Sequence, residues 1–146
     1  MLGRVYPSWV ERTTDETDDW SGTFIALLLK ASYTFDATDI FISDLTVGTN
    51  ELAGGGYARV NPTGLSTSRA GLVTTTTFSA ITFPLVTATG ADAAACMILA
   101  RFGTGDSDSP LIVQQDFEGA SDASNEDIVI TPSANGFYRS TVSNPA

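Results

Sequence analysis

Gly71-Leu72-Val73-Thr74-Thr75-Thr76-Thr77-Phe78-Ser79-Ala80-Ile81-Thr82-Phe83-Pro84-Leu85-Val86 is the stretch that decides the class of this fold. Consecutive β-branched residues lose side-chain freedom in a helix but fit the pleat of a sheet, so Thr74 to Thr77 reads as strand. Outward from it, short apolar runs alternate with Gly, Asp, Ser, Asn and Pro, the punctuation of strands joined by turns. Strands are expected near 23–30, 56–61, 70–79, 81–87, 93–102, 110–117, 127–131 and 137–142. These strands predict an all-β fold: a single antiparallel β-sandwich or barrel, jelly-roll-like, of about eight short strands with an extended N-terminal arm.

Two segments resist a strand reading. Ala91 to Arg101 is rich in helix formers, but it is short, lacks a cap and sits between Gly90 and Gly103, so a strand is expected there too. Asp36 to Asp44 has room for one helical turn, with Ile40, Phe41, Ile42 and Leu45 giving it a buried side. Gly54-Gly55-Gly56 gives the backbone access to positive φ before Tyr57, which suits a bulge or tight bend. Asn135-Gly136 is a hairpin dipeptide, and Gly103 to Pro110 reads as an exposed loop.

The chain divides into an arm, residues 1–19, and a β-domain, residues 20–146. Glu11 to Asp19 is polar and without apolar period, the pattern of a solvated segment. Tyr6, Trp9 and Val10 before it, and Trp20 after it, are the candidate anchors to the core or to a neighbouring subunit. A Ca²⁺ loop is the sharper reading of these acids, but the Gly-centred spacing of an EF-hand is missing.

Composition narrows the chemistry. The 146 residues contain 17 Asp and Glu against 7 Lys and Arg, a net charge of −10 that opposes approach to nucleic acid and to anionic membranes. Arg4, Arg12, Arg59, Arg69, Arg101 and Arg139 are scattered, so no basic stripe offsets this field. The longest apolar run, Phe24 to Leu29, is far short of the ~20 residues of a membrane span. No signal-peptide core precedes it, so the protein is expected to be soluble where it is made.

With no histidine, Ser-His-Asp and Cys-His catalysis and His-ligated zinc are excluded. Cys96, the sole cysteine, lies in an apolar run and reads as a buried hydrophobe. Acid pairs such as Asp116/Glu118 and Asp106/Asp108 have the residue types for glycoside hydrolysis, but alternate positions on a strand are equally those of a solvated sheet. The three glycines lack the downstream Gly-Lys-Ser/Thr of a phosphate loop. Trp9, Trp20, Tyr33, Phe35 and Phe41 would form either a sugar-stacking platform or core and interface. No catalytic residue, cofactor or metal is expected.

The order Tyr33 to Leu45, Asn50-Glu51-Leu52 and Gly56-Tyr57-Ala58-Arg59 resembles a family of small tailed-bacteriophage virion structural proteins. It continues through the Thr-rich run into Phe78, Ile81-Thr82-Phe83, Ala93 to Leu99, Ser109 to Ile112 before Asp116-Phe117, Asp127 to Ile130 and Asn135-Gly136-Phe137, covering about residues 23 to 140. The resemblance implies a non-enzymatic particle component with no catalytic residues to transfer. It points first to a capsid decoration, or cement, protein made in the host cytoplasm, which clamps major capsid protein subunits on the outer shell. Homo-oligomers, trimers among them, follow by analogy. A tail or head–tail junction protein is the alternative within the particle, and a carbohydrate- or receptor-binding module the alternative from another class.

Overall fold

The structure, a computed structural model, describes residues 2–14, 20–133, 136 and 138–141. The elements run β1 (Leu2–Val5), α1 (Pro7–Thr14), β2 (Phe24–Lys30), α2 (Val47–Asn50), β3 (Ser66–Ala70), β4 (Val73–Thr77), β5 (Ile81–Ala88), β6 (Ala94–Arg101), β7 (Leu111–Ser121), β8 (Ala123–Ile130) and β9 (Tyr138–Thr141), with 3-10 turns at Ile42–Leu45, Gly90–Asp92 and Asp106–Asp108. All ladders are antiparallel. They form a four-stranded sheet, β1-β7-β6-β2, a three-stranded sheet, β3-β4-β9, and a two-stranded sheet, β5-β8. The protein is all-β and its sheets do not close into a barrel.

The run Phe24 to Leu29 explains the layering. Phe24, Ala26 and Leu28 enter one apolar cluster, while Ile25, Leu27 and Leu29 enter another. This is the two-residue period of a strand buried on both faces, which reads as a continuous hydrophobic run. On the first face the β5–β8 pair packs through Ile81, Phe83, Val86, Ile128 and Ile130, making a sandwich. On the second, the segment from Tyr33 to Val47 lies over β2 and β6, with Ile42 and Leu45 fully buried. Each large side chain so buried contributes about 1.5–3 kcal/mol relative to exposure. The Ala-rich segment is strand β6 because it too is needed on both faces: Met97 and Leu99 point one way, Cys96 and Ile98 the other.

Several expectations are corrected. Residues 56–61 form no strand; the Val60 amide and carbonyl bond to Ala26 at 3.1 and 2.7 Å, an isolated bridge along the edge of β2. The strand expected over 70–79 is present but shorter, as β4, and it is preceded by an unforeseen strand, β3, that turns into it through Gly71-Leu72. The loop 103–110 is tied down: Ser109 is fully buried, and the Asp108 carboxylate accepts the Thr104 and Gly105 amides at 2.9 and 2.8 Å. The helical turn foreseen within 36–44 sits at its end, Ile42–Leu45, where Asp44 accepts the Ile40 and Phe41 amides at 2.9 Å each. Asn135, of the expected Asn-Gly turn, lies outside the described residues, as do Asp15 to Asp19 of the acidic run.

The N-terminal segment is the largest departure. Residues 2–14 do not extend from the domain but fold onto it. β1 pairs with β7 from Leu2↔Asp116 to Val5↔Val113, and the Tyr6 amide donates to the Ile112 carbonyl at 3.0 Å. Proline at the first helical position then starts α1, where a missing N–H costs nothing. The Thr13 and Thr14 hydroxyls donate back to the Trp9 and Val10 carbonyls at 3.0 and 2.7 Å where it ends.

Candidate functional site

The four residues expected to anchor a partner do not make one surface. Tyr6 is fully buried in the second apolar cluster, its ring 4.9 Å from Phe35 and its hydroxyl 2.9 Å from that of Tyr33, which donates to Asp39 at 3.1 Å. Trp9 is fully buried in the first cluster, edge-on to Trp20 at 5.2 Å; Trp20 stacks on Phe24 at 6.0 Å, and Phe24 meets Phe78 edge-on at 5.4 Å. Only Val10, 44% exposed, faces outward. The side chains of Tyr6 and Trp9 are thus committed to their own chain, which corrects the expectation that they reach a neighbour.

The remaining aromatic candidates form no open platform. Tyr33, Phe35 and Phe41 are partly buried, and the Arg4 and Arg12 guanidinium groups lie over Phe35 and Phe41 at 5.5 and 5.4 Å. Cation–π contact therefore covers one face of Phe35 and one of Phe41.

The acids are likewise engaged in structure. Arg59 bridges Glu51, with two bonds of 2.7 Å, and Asp106, at 2.5 and 3.0 Å. The Tyr57 hydroxyl donates to Glu51 at 2.8 Å and accepts the Leu28 amide at 3.0 Å, so this network closes the edge of β2. The paired carboxylates hold the Arg59 guanidinium far above its ordinary value. Asp116 accepts the Glu118 amide at 3.1 Å, bending β7 where Glu118 takes φ 58°. Among the described residues no three Cys, Asp or Glu gather as a metal site. Burial pushes the Cys96 thiol up to about 11, away from thiolate chemistry at neutral pH.

Gly54, Gly55 and Gly56 all hold positive φ, and Gly55 explains why: its carbonyl accepts the Thr87 amide at 2.6 Å, and a Cβ there would meet the Thr87 carbonyl oxygen. The glycines lash the 51–60 segment to β5.

What the molecule offers outward is sheet edge. All five residues of β3 are exposed, and Leu65 and Leu72 at the ends of the strand are 39% and 45% exposed. In a two-residue hairpin the pairs Ala70↔Val73, Ser68↔Thr75 and Ser66↔Thr77 exchange backbone bonds, so the N–H and C=O of Thr67 and Arg69 point away from β4. The hydroxyls of Thr67 and Thr76 meet at 3.2 Å across the intervening pair. No Asp or Glu occurs between Glu51 and Asp92, so this edge is an acid-free part of an acidic chain. The sequence hid the edge because Ser66 to Ala70 has no apolar alternation; Gly71, placed between it and the threonine run, was the available signal.

These features define an acidic all-β sandwich whose edge strand β3 has no cover among the described residues. No family model, curated protein or solved structure matches the chain.

Proposed function

We propose that this protein is a non-enzymatic structural component of a tailed-bacteriophage particle, a capsid decoration protein that binds the major capsid protein on the outer shell. The observation that carries the reading is strand β3, exposed along its whole length with outward backbone donors and acceptors at Thr67 and Arg69. Native domains commonly blunt such edges with charge, proline or cover, and an edge left open is the template on which another sheet extends. The ordered resemblance over about residues 23 to 140 supports the same reading. So does the charge of −10, which keeps an outer protein off packaged DNA. Repetition over a lattice turns weak single contacts into high occupancy, and a second copy of the chain in a homo-oligomer multiplies them.

The test is a reconstruction of intact particles carrying the wild-type chain or the double variant Thr67→Pro, Arg69→Pro. Proline removes the outward N–H groups, together with the Thr67 hydroxyl contact to Thr76 and the Arg69 side-chain bond to the Gly71 carbonyl, and leaves the backbone ladder of β3 and β4 bonded. Wild-type copies should cover the shell, and the variant, folded in solution, should lose most of its occupancy. Copies confined to one vertex would instead favour the tail or junction reading. Full occupancy of the variant would refute attachment through β3.

A further inference from the structure

We infer that the cleft between the C-terminal half of β7 and the free edge of β8 is a docking site for an extended cationic segment of another protein, anchored by one large apolar side chain. The register of β7 against β6 jumps from Cys96↔Asp116 to Ala94↔Ser121, so residues 117–120 stand opposite Ala95 alone and bow out of the sheet. Among the described residues β8 has β5 as its only ladder partner. Between the bow and that open edge lies a cleft of about 420 Å³, walled by Phe117, Gly119, Ile128 and Val129. Every second residue of β8 presents its N–H and C=O to this side, which is the geometry that accepts an added strand.

Two further observations mark the place. Among the described residues Val129 and Leu85 are the most exposed large apolar side chains, at 52% and 57%. Both lie on the β5–β8 pair, where the Leu85 amide donates to the Asp127 carboxylate at 3.0 Å. Backbone strain also gathers here. Of the four non-glycine residues with positive φ among the described residues, Glu118 lines the cleft, Asn125 lies further along β8 and Leu85 lies on β5, the ladder partner of β8. Such conformations cost free energy and persist where surrounding bonds enforce them, characteristically at binding sites.

Charge chooses the occupant. Between Arg101 and Arg139 the chain has no Lys or Arg, while β7, β8 and their connection carry Asp116, Glu118, Asp122, Glu126 and Asp127. A second copy, with net charge −10, would add acid to an acidic rim. A strand with a Leu, Phe or Met between Lys or Arg residues satisfies the rim, the apolar walls and the open edge together.

The test is selection of a random 12-residue peptide library on the full-length protein, in parallel with Val129→Asp and Glu126→Lys, two exposed substitutions whose folding is checked by thermal melts. The expected consensus is one large apolar residue flanked by Lys or Arg. The selected peptide should bind at least tenfold more weakly to each variant and more weakly as salt is raised, and its amide shift changes should centre on 117–121 and 128–130. Absence of enrichment, an uncharged or acidic consensus, or affinity unchanged by both substitutions would overturn the inference.

Discussion

Replacing Trp9 by Ala distinguishes a folded N-terminal segment from a free arm. Trp9 has no exposed surface and packs edge-on against Trp20 at 5.2 Å. A buried Trp removes about 150–250 Å² from water, which at ~25 cal/mol per Å² is about 4–6 kcal/mol. The retained Ala returns part of this, and measured Trp-to-Ala losses in cores run about 3–5 kcal/mol. One term opposes the loss, because the buried Trp9 Nε1 has no hydrogen-bond partner among the described residues and its removal recovers some desolvation cost. A net loss of about 4 kcal/mol is expected, or about 12 °C in Tm at roughly 3 °C per kcal/mol for a domain of this size. Urea titration followed by circular dichroism and by Trp20 fluorescence measures it. Trp9→Phe keeps a ring and deletes the orphan donor, so it should lose less than half as much. A change below about 1 kcal/mol for Trp9→Ala would refute the packing of α1 described above.

Two other perturbations read the loops. Gly54→Ala and Gly55→Ala both place an L side chain at positive φ, costing about 1–2 kcal/mol, but only at Gly55 does the new Cβ run into the Thr87 backbone. Gly55→Ala should therefore be the more destabilising by at least ~1 kcal/mol, since the Thr87–Gly55 hydrogen bond is also lost; equal losses in denaturant titrations would argue against the lashing. Asp108 is held below the usual carboxylate range by the Thr104 hydroxyl and then the Gly105 amide, and Asp36 by the Thr38 hydroxyl and amide. Depressed folded-state values mean stabilisation that is complete above the unfolded value of about 3.9 and lost as pH falls through the folded values. Asp36→Asn and Asp108→Asn should thus flatten the stability curve below about pH 4. An unchanged acid limb would show that these loop bonds do not form in solution.

The central layers were legible because their residues carry their own pattern. Phe24 to Leu29 is apolar at every position, as a short strand covered on both sides is, and Thr74 to Thr77 is too β-branched for a helix. α1 was not legible, since eight residues with Trp9 as their one buried side chain give no helical period. Tyr6 and Trp9 read as possible interface anchors because an aromatic residue beside a charged run fits either role. Long-range pairing with β7 decides between them, and local sequence does not encode it. β3 was missed for the opposite reason, having no apolar face, and the bow in β7 because Glu118 gives no local sign of a residue held at positive φ.

The pairing of Leu2 with Asp116 places β1 beside the seventh strand in chain order, so the two are made far apart in time. At about 5–20 residues per second, β1 waits on the order of ten seconds for β7 to emerge. The central sheet therefore cannot close until β7 has been made. Any truncated translation product that stops before β7 leaves β1 without its partner and one edge of β6 open, a ready target for quality-control proteases.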